Sequence, residues 1–321
     1  MSGWWFPRAA TALWLLACCG VCAAQMPPAC PPTAEPPTPQ QIRAGTSSAA
    51  DHGFLWRIRK NGRISFLYGT FHVGEATWVS PGPLVMAALH GSDEIALELD
   101  MLDPRITEQL RDGMAAQAGR HLPAPLANRL AKQVSAACLP TAVLEAMAPE
   151  MLATTLTVLA GRADGLDPAY GIDLTLARLG RMLHRPVISL ETSQQQIALL
   201  QGRTPKETDD IVEEAVDELE TGHASPLLQR MARIWSEGSL DELESYAQWC
   251  DCLRTDEERA LFKRLLDDRN PSLAEHIEAL HASGKRVFAA VGSLHMIGPM
   301  GLPALLARHG FVVERVASTL H

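Results

Sequence analysis

Apolar and polar positions alternate with a period of two over Phe54–Arg59 and again over Arg63–Tyr68, and the two runs meet at Asn61-Gly62. Asn-Gly between alternating runs is the strongest short-range hairpin signal, because both residues tolerate the positive φ of a tight turn. The period then lengthens. A helical stretch around Leu84–Gly91 precedes a short apolar run, Glu94–Leu99, and amphipathic patterns fill Ile106–Ala137 and Pro140–Ala160. Asp173–Leu183 has helical spacing, Pro186–Leu190 is another β-type run, and helical patterns return from Asp209 to Leu280. There Glu213, Glu214, Glu218 and Glu220 read as a solvated face. The chain closes with Arg286–Val291, a helix near Leu302–Arg308 and Phe311–Val316. Short strands separated by helices predict an α/β fold, a mainly parallel mixed sheet flanked by helices. The large helical insertion, about residues 104–170, is expected to form a lid over the strand carboxyl ends.

The N-terminus departs from this pattern. Met1–Arg8 carries one positive charge and no acid, Ala9–Val21 is apolar, and Cys22-Ala23-Ala24 offers small residues for cleavage before Gln25. Residues 1–24 therefore read as an export signal, placing the protein in the periplasm or outside the cell. Leu15-Leu16-Ala17-Cys18 also resembles a lipobox, the alternative being a lipoprotein anchored to the membrane at Cys18. Pro27 to Gln40 holds seven prolines, so residues 25–50 read as a linker and 51–321 as one domain.

Composition narrows the function. Net charge is −9, and only thirteen aromatic residues follow residue 24, which argues against nucleic acid as a partner. Cleavage after Ala24 leaves Cys30, Cys138, Cys250 and Cys252, an even number in an oxidising compartment. Cys250 and Cys252 are too close to bridge each other easily, so one of them is expected to reach Cys138. A zinc site at this C-x-C has little support without a second such pair.

The chemistry gathers at strand ends. Ile64–Tyr68 runs into Gly69-Thr70-Phe71-His72, and Val287–Val291 runs into Gly292-Ser293-Leu294-His295. These are two copies of G-[S/T]-apolar-H in the same strand-end context. Glu98 and Asp100 close the third run, and Glu191 closes the fourth. Ligands of open α/β sheets bind outside the carboxyl ends of the strands. Two imidazoles and carboxylates meeting there suit a divalent metal, and the Ser or Thr of each motif can orient a ligand or substrate oxygen. Glu98 stands in an apolar strand, where burying it unpaired would cost several kcal/mol. Its cation is either a metal or Arg269.

At these residues the chain resembles the TraB/GumN family, related to the Tiki metalloproteases and more distantly to erythromycin-esterase and ChaN-type proteins. The resemblance spans roughly residues 53–317 and rests on both G-x-x-H segments, Ala96-Leu97-Glu98-Leu99-Asp100, Tyr170-Gly171-Ile172-Asp173, Leu190-Glu191-Thr192 with Gln196, and Arg269-Asn270. Cys250-x-Cys252 is not part of that pattern. The resemblance implies a metal-dependent hydrolase of the peptidase type acting on a peptide or protein substrate. His72, Glu98 and His295 would hold Mn, Co or Zn. Glu191 or Asp173 would act as general base or orient a ligating histidine, and Arg269 would stabilise developing negative charge or pair with Glu98. A second reading is a binding protein that sequesters a peptide or haem-like ligand in the same cleft. Either reading requires both G-x-x-H strands to be parallel and central. His72 and His295 are then expected within about 6 Å at their ring nitrogens with Glu98 inside the same radius, since parallel neighbours lie about 4.8 Å apart.

Overall fold

A computed structural model of the chain describes residues 30–31, 34–45, 49–116, 118 and 120–316. The expected export signal, its cleavage site and Cys18 lie outside them. Six strands are present among these residues: β1 (Phe54–Lys60), β2 (Arg63–Thr70), β3 (Glu94–Leu97), β4 (Val187–Ser189), β5 (Val287–Gly292) and β6 (Val312–Val316). The α-helices before β4 are α1 (Pro39–Gly45), α2 (Pro83–His90), α3 (Pro104–Ala115), α4 (Ala124–Ala136), α5 (Val143–Ala146), α6 (Pro149–Leu159) and α7 (Ile172–Met182). Then come α8 (Ser193–Leu200), α9 (Pro205–Thr221), α10 (Ala224–Glu237), α11 (Leu240–Glu244) and α12 (Tyr246–Trp249). The last three are α13 (Asp256–Leu265), α14 (Asn270–Ala282) and α15 (Leu302–Arg308).

The expected α/β sheet is there. β1 and β2 form the hairpin with Lys60 opposite Arg63, and Asn61 and Gly62 take φ of 51° and 74° at its turn. The strand order is β4-β3-β5-β2-β1-β6. β4, β3, β5 and β2 run parallel, while β1 is antiparallel to both of its neighbours. β5 is the central strand, and Val287 to Val291 are buried without a polar side chain, as befits a strand covered on both faces. Phe54, Ile58, Leu67, Ile95, Leu97 and Phe288 join it in the main core.

The insertion adds a smaller core. Leu126, Leu130 and Val134 recur at helical spacing along α4 and pack with Leu152, Ala153 and Leu156 of α6 and Val212 and Val216 of α9. Helices before and after β4 in the sequence are therefore glued to one another. Among the described residues, no helix is long and apolar enough to cross a membrane.

Two expectations need correction. The linker does not extend to Ala50: the Thr38 hydroxyl caps α1 by accepting the Gln41 N–H at 3.3 Å, and Ile42 is buried in the main core. One apolar residue facing the sheet domain is enough to dock this turn of helix, despite the prolines before it. The cysteine pairing also differs. Cys250 and Cys252 are joined to each other rather than to Cys138. The residue between them, Asp251, takes φ 56°, and this left-handed turn brings their Cα atoms to 5.1 Å, within the range a disulfide spans.

Candidate functional site

The register of the parallel strands assembles the site. Thr70 of β2 pairs with Gly292 of β5, and on the other side of β5 Leu97 of β3 pairs with Ala290. His72, His295 and Glu98 therefore leave the sheet from three adjacent strand ends. The Ser293 hydroxyl donates to the Thr70 carbonyl at 2.7 Å and ties the two G-x-x-H turns together. That serine is spent on backbone, not on orienting a ligand oxygen as its position in the motif suggested.

His72 is oriented from α7. The Ile172 N–H donates to the Phe71 carbonyl at 2.9 Å, and a Cβ on Gly171 would stand 2.6 Å from the His72 carbonyl oxygen. Only glycine permits that approach, which explains the glycine before Ile172-Asp173. Asp173, in the first turn of α7, lies 3.3 Å from His72 Nδ1. Its charge raises the His72 pKa to about 9, against the penalty of burial. The imidazole is still 62% exposed at the mouth of the cleft.

Arg269 stands among the other groups. Its Nε donates to Glu191 at 2.9 Å, its Nη2 bridges Glu98 and Glu191, and its Nη1 lies 3.1 Å from His295 Nε2. Gln196 donates to Glu191 at 2.7 Å and to Glu98 at 3.2 Å. It is aimed there by α8, whose N-terminus Thr192 and Gln195 close as a capping box. The second Glu98 oxygen accepts the Gly292 N–H at 2.8 Å. Burial opposes the Glu98 charge, yet His295, His72, Arg269 and the Gly292 N–H together hold its carboxyl well below the usual range. Arg269, buried though it is, is held more firmly protonated than a free guanidinium by Glu191 and Glu98.

His295 is set by Asn270. Asn270 Nδ2 donates to the Met300 carbonyl at 2.8 Å, which fixes its amide so that Oδ1 accepts from His295 Nδ1. Burial draws the His295 pKa down to about 4, so the ring is neutral with its lone pair on Nε2. Sequence reasoning placed Gln196 and Asn270 within motifs but gave them no role. The signal that could have assigned them was their adjacency to Glu191 and Arg269.

The sequence-expected metal ligands surround one point. A Cβ at Gly292 would lie 3.3 Å from Glu98 Oε1, 3.6 Å from His295 Cδ2 and 3.9 Å from His72 Nε2, so the space between them exists because residue 292 is glycine. The donor types suit a divalent ion, and His295 hands its Nδ1 proton to Asn270, as metal-ligating histidines do, while His72 Nδ1 lies 3.3 Å from the Asp173 carboxylate. As the side chains stand, however, no group of three or more His, Cys, Asp or Glu among the described residues is arranged to hold a metal. Arg269 takes the lone pairs of Glu98 and His295 that an ion would need.

The family model described as TraB/PrgY/gumN matches residues 54–315. A protein of Escherichia coli K12 called "Uncharacterized protein YbaP" is 30% identical over 143 residues, 44% of this chain and half of that protein. Its namesake in Shigella flexneri is 25% identical over 260 residues, 76% of this chain and 88% of that one. No solved structure matches. The matched region carries β1 to β5, β6 up to Arg315, and every residue of the cluster around Arg269, and the chain belongs to the TraB/PrgY/gumN family.

Proposed function

We propose that this chain is an exported metal-dependent hydrolase of the peptidase type, acting at the carboxyl ends of β2, β5 and β3. The observation that carries the reading is the convergence of His72, His295 and Glu98 on the space over Gly292. Asn270 fixes the His295 ring through Nδ1, Asp173 lies 3.3 Å from His72 Nδ1, and both rings stand beside Glu98 at Gly292. His72, His295 and Glu98 would hold Mn, Co or Zn. Once bound, such an ion lowers the pKa of its water and polarises the scissile carbonyl, so no Ser or Cys nucleophile is required. To admit it, Arg269 has to leave His295 Nε2 while staying paired with Glu191. In that place the guanidinium would stabilise negative charge developing on the substrate oxygen. Glu191, positioned by Arg269 and Gln196, would accept the proton of the attacking water. The insertion helices from α3 to α6 would close over the cleft as a lid.

Metal analysis of the purified exported domain tests this. About one Mn, Co or Zn per chain is expected. The variant carrying His72→Ala and His295→Ala should lose that metal while keeping its circular dichroism spectrum. Equal metal in both proteins would overturn the ligand assignment. Turnover of a peptide library that stops on chelation supports hydrolysis, whereas stoichiometric retention of an intact peptide or haem-like ligand supports sequestration instead.

A further inference from the structure

β4 is the outer strand of the sheet, and among the described residues no strand pairs with its free side. Its ladder to β3 has the Ile95 N–H donating to the Pro186 carbonyl at 2.9 Å and the Leu190 N–H donating to the Leu97 carbonyl at 2.8 Å, with Val187 opposite Ile95 and Ser189 opposite Leu97. In a parallel ladder alternate residues turn both main-chain groups to the same neighbour. Ile188 therefore serves β3, and the N–H and C=O of Val187 and Ser189 point outward.

They point into a groove of about 360 Å³ whose far wall is the start of α3, with Ile106 and Gln109 on the helix and Asp100 and Asp103 at its approach. The charges there are already matched: Asp100 pairs with Arg181 at 2.8 Å and Asp103 with Arg105 at 2.9 Å. What the groove leaves unanswered is main chain, two residues deep. A charged small ligand has no free counter-charge to meet, but an extended peptide presents donors and acceptors at the required two-residue spacing. Two residues beyond Ser189 stands Glu191, the partner of Arg269.

We propose that this groove binds an extended peptide segment as an added strand on β4 and delivers its backbone to the cluster around Arg269. The proposal rests on the hydrolase reading for the fate of the bound chain, not for its capture.

The test uses the full exported protein carrying His72→Ala, so that binding is read without turnover, and fluorescein-labelled oxidised insulin B chain as the extended probe. Residue-resolved hydrogen exchange should show the Val187 and Ser189 amides gaining protection at saturation, with Ile188 unchanged. Val187→Pro removes an outward donor without touching the ladder to β3, a change that edge strands tolerate, and Gln109→Trp fills the groove from the opposite wall. Each should weaken probe binding by about tenfold, the loss of roughly one strong main-chain hydrogen bond, with the circular dichroism spectrum unchanged. Absence of probe binding, unprotected Val187 and Ser189 amides, or full affinity in both variants overturns the groove. A parent protein that protects these amides yet never cleaves the probe keeps the groove and removes the hydrolase. Cleavage without that protection does the reverse.

Discussion

Asp173 and Asn270 stand at the Nδ1 side of an imidazole with opposite electrical results. Asn270 accepts the His295 Nδ1 proton, whereas Asp173 lies 3.3 Å from His72 Nδ1 and brings a negative charge. His72, beside the carboxylate, is raised to about 9, while His295, buried beside an amide, falls to about 4. Replacing Asp173 with Asn should therefore move the His72 titration down from about 9 toward its ordinary 6.5, because the imidazolium loses its counter-charge. Nitrogen-15 NMR of the ring reads this directly, and an unmoved titration would refute the assignment. The exposure of His72 weakens the effect, so the shift is expected to be partial. Arg269 makes a stronger demand. Side-chain exposure is 13% for Arg269, 11% for Glu98 and 7% for Glu191. Arg269→Ala would strand two buried carboxylates, at a cost of about 3–5 kcal/mol in a urea melt. A variant within experimental error of the parent would mean that the carboxylates are better solvated than their burial implies.

At the scale of elements, the site depends on how closely helices approach the sheet. A Cβ on Gly180 of α7 would lie 2.6 Å from Val187 Cγ2 and 3.2 Å from Ile95 Cδ1, so α7 rests directly on β3 and β4. Gly180→Val should overpack that contact and cost about 1–3 kcal/mol. Because α7 also carries Asp173, the same variant should shift the His72 titration, and a melting change without that shift would separate the helix from the site. The strand ends were legible in the sequence because two G-x-x-H copies and a carboxylate each follow an apolar run, and parallel strands point their carboxyl ends one way. The order of the strands was not legible. Nothing in Val187-Ile188-Ser189 says that it lies outside β3, since a three-residue run has no register of its own. Gln196 and Asn270 were hidden for a similar reason: their partners Glu98 and His295 are far away in sequence and meet them only through tertiary packing. The self-paired Cys250 and Cys252 depended on a positive φ at Asp251, which a non-glycine residue does not advertise.

The pH dependence of stability belongs to the whole molecule, because linkage sums over every group whose proton affinity changes on folding. Three kinds of group set its shape here. His295 has its pKa lowered by burial from 6.5 to about 4, so the unfolded chain binds the extra proton and stability falls as pH drops from 6.5 toward 4. Glu207 is also lowered: burial opposes it, but hydrogen bonds from Arg264 and Arg203 carry its pKa from 4.5 to about 2, and Glu98 is depressed too. Their contribution is complete above 4.5 and is lost as pH falls through the folded values. His72 runs the other way. Its pKa is raised, so its contribution is complete below 6.5 and is lost as pH climbs toward 9, weakly because the ring is 62% exposed. Stability should therefore be greatest near 6.5, with a shallow alkaline limb and a steep acid one. Replacing His295 with Gln removes the first acid loss and leaves the carboxylates, so the acid limb should begin below about 4.5 instead of below 6.5. Urea midpoints for both proteins across this range check it. Superimposable acid limbs would mean that His295 is solvated in the folded protein, and that its neutral ring, its tautomer and its place beside Glu98 have all been misread.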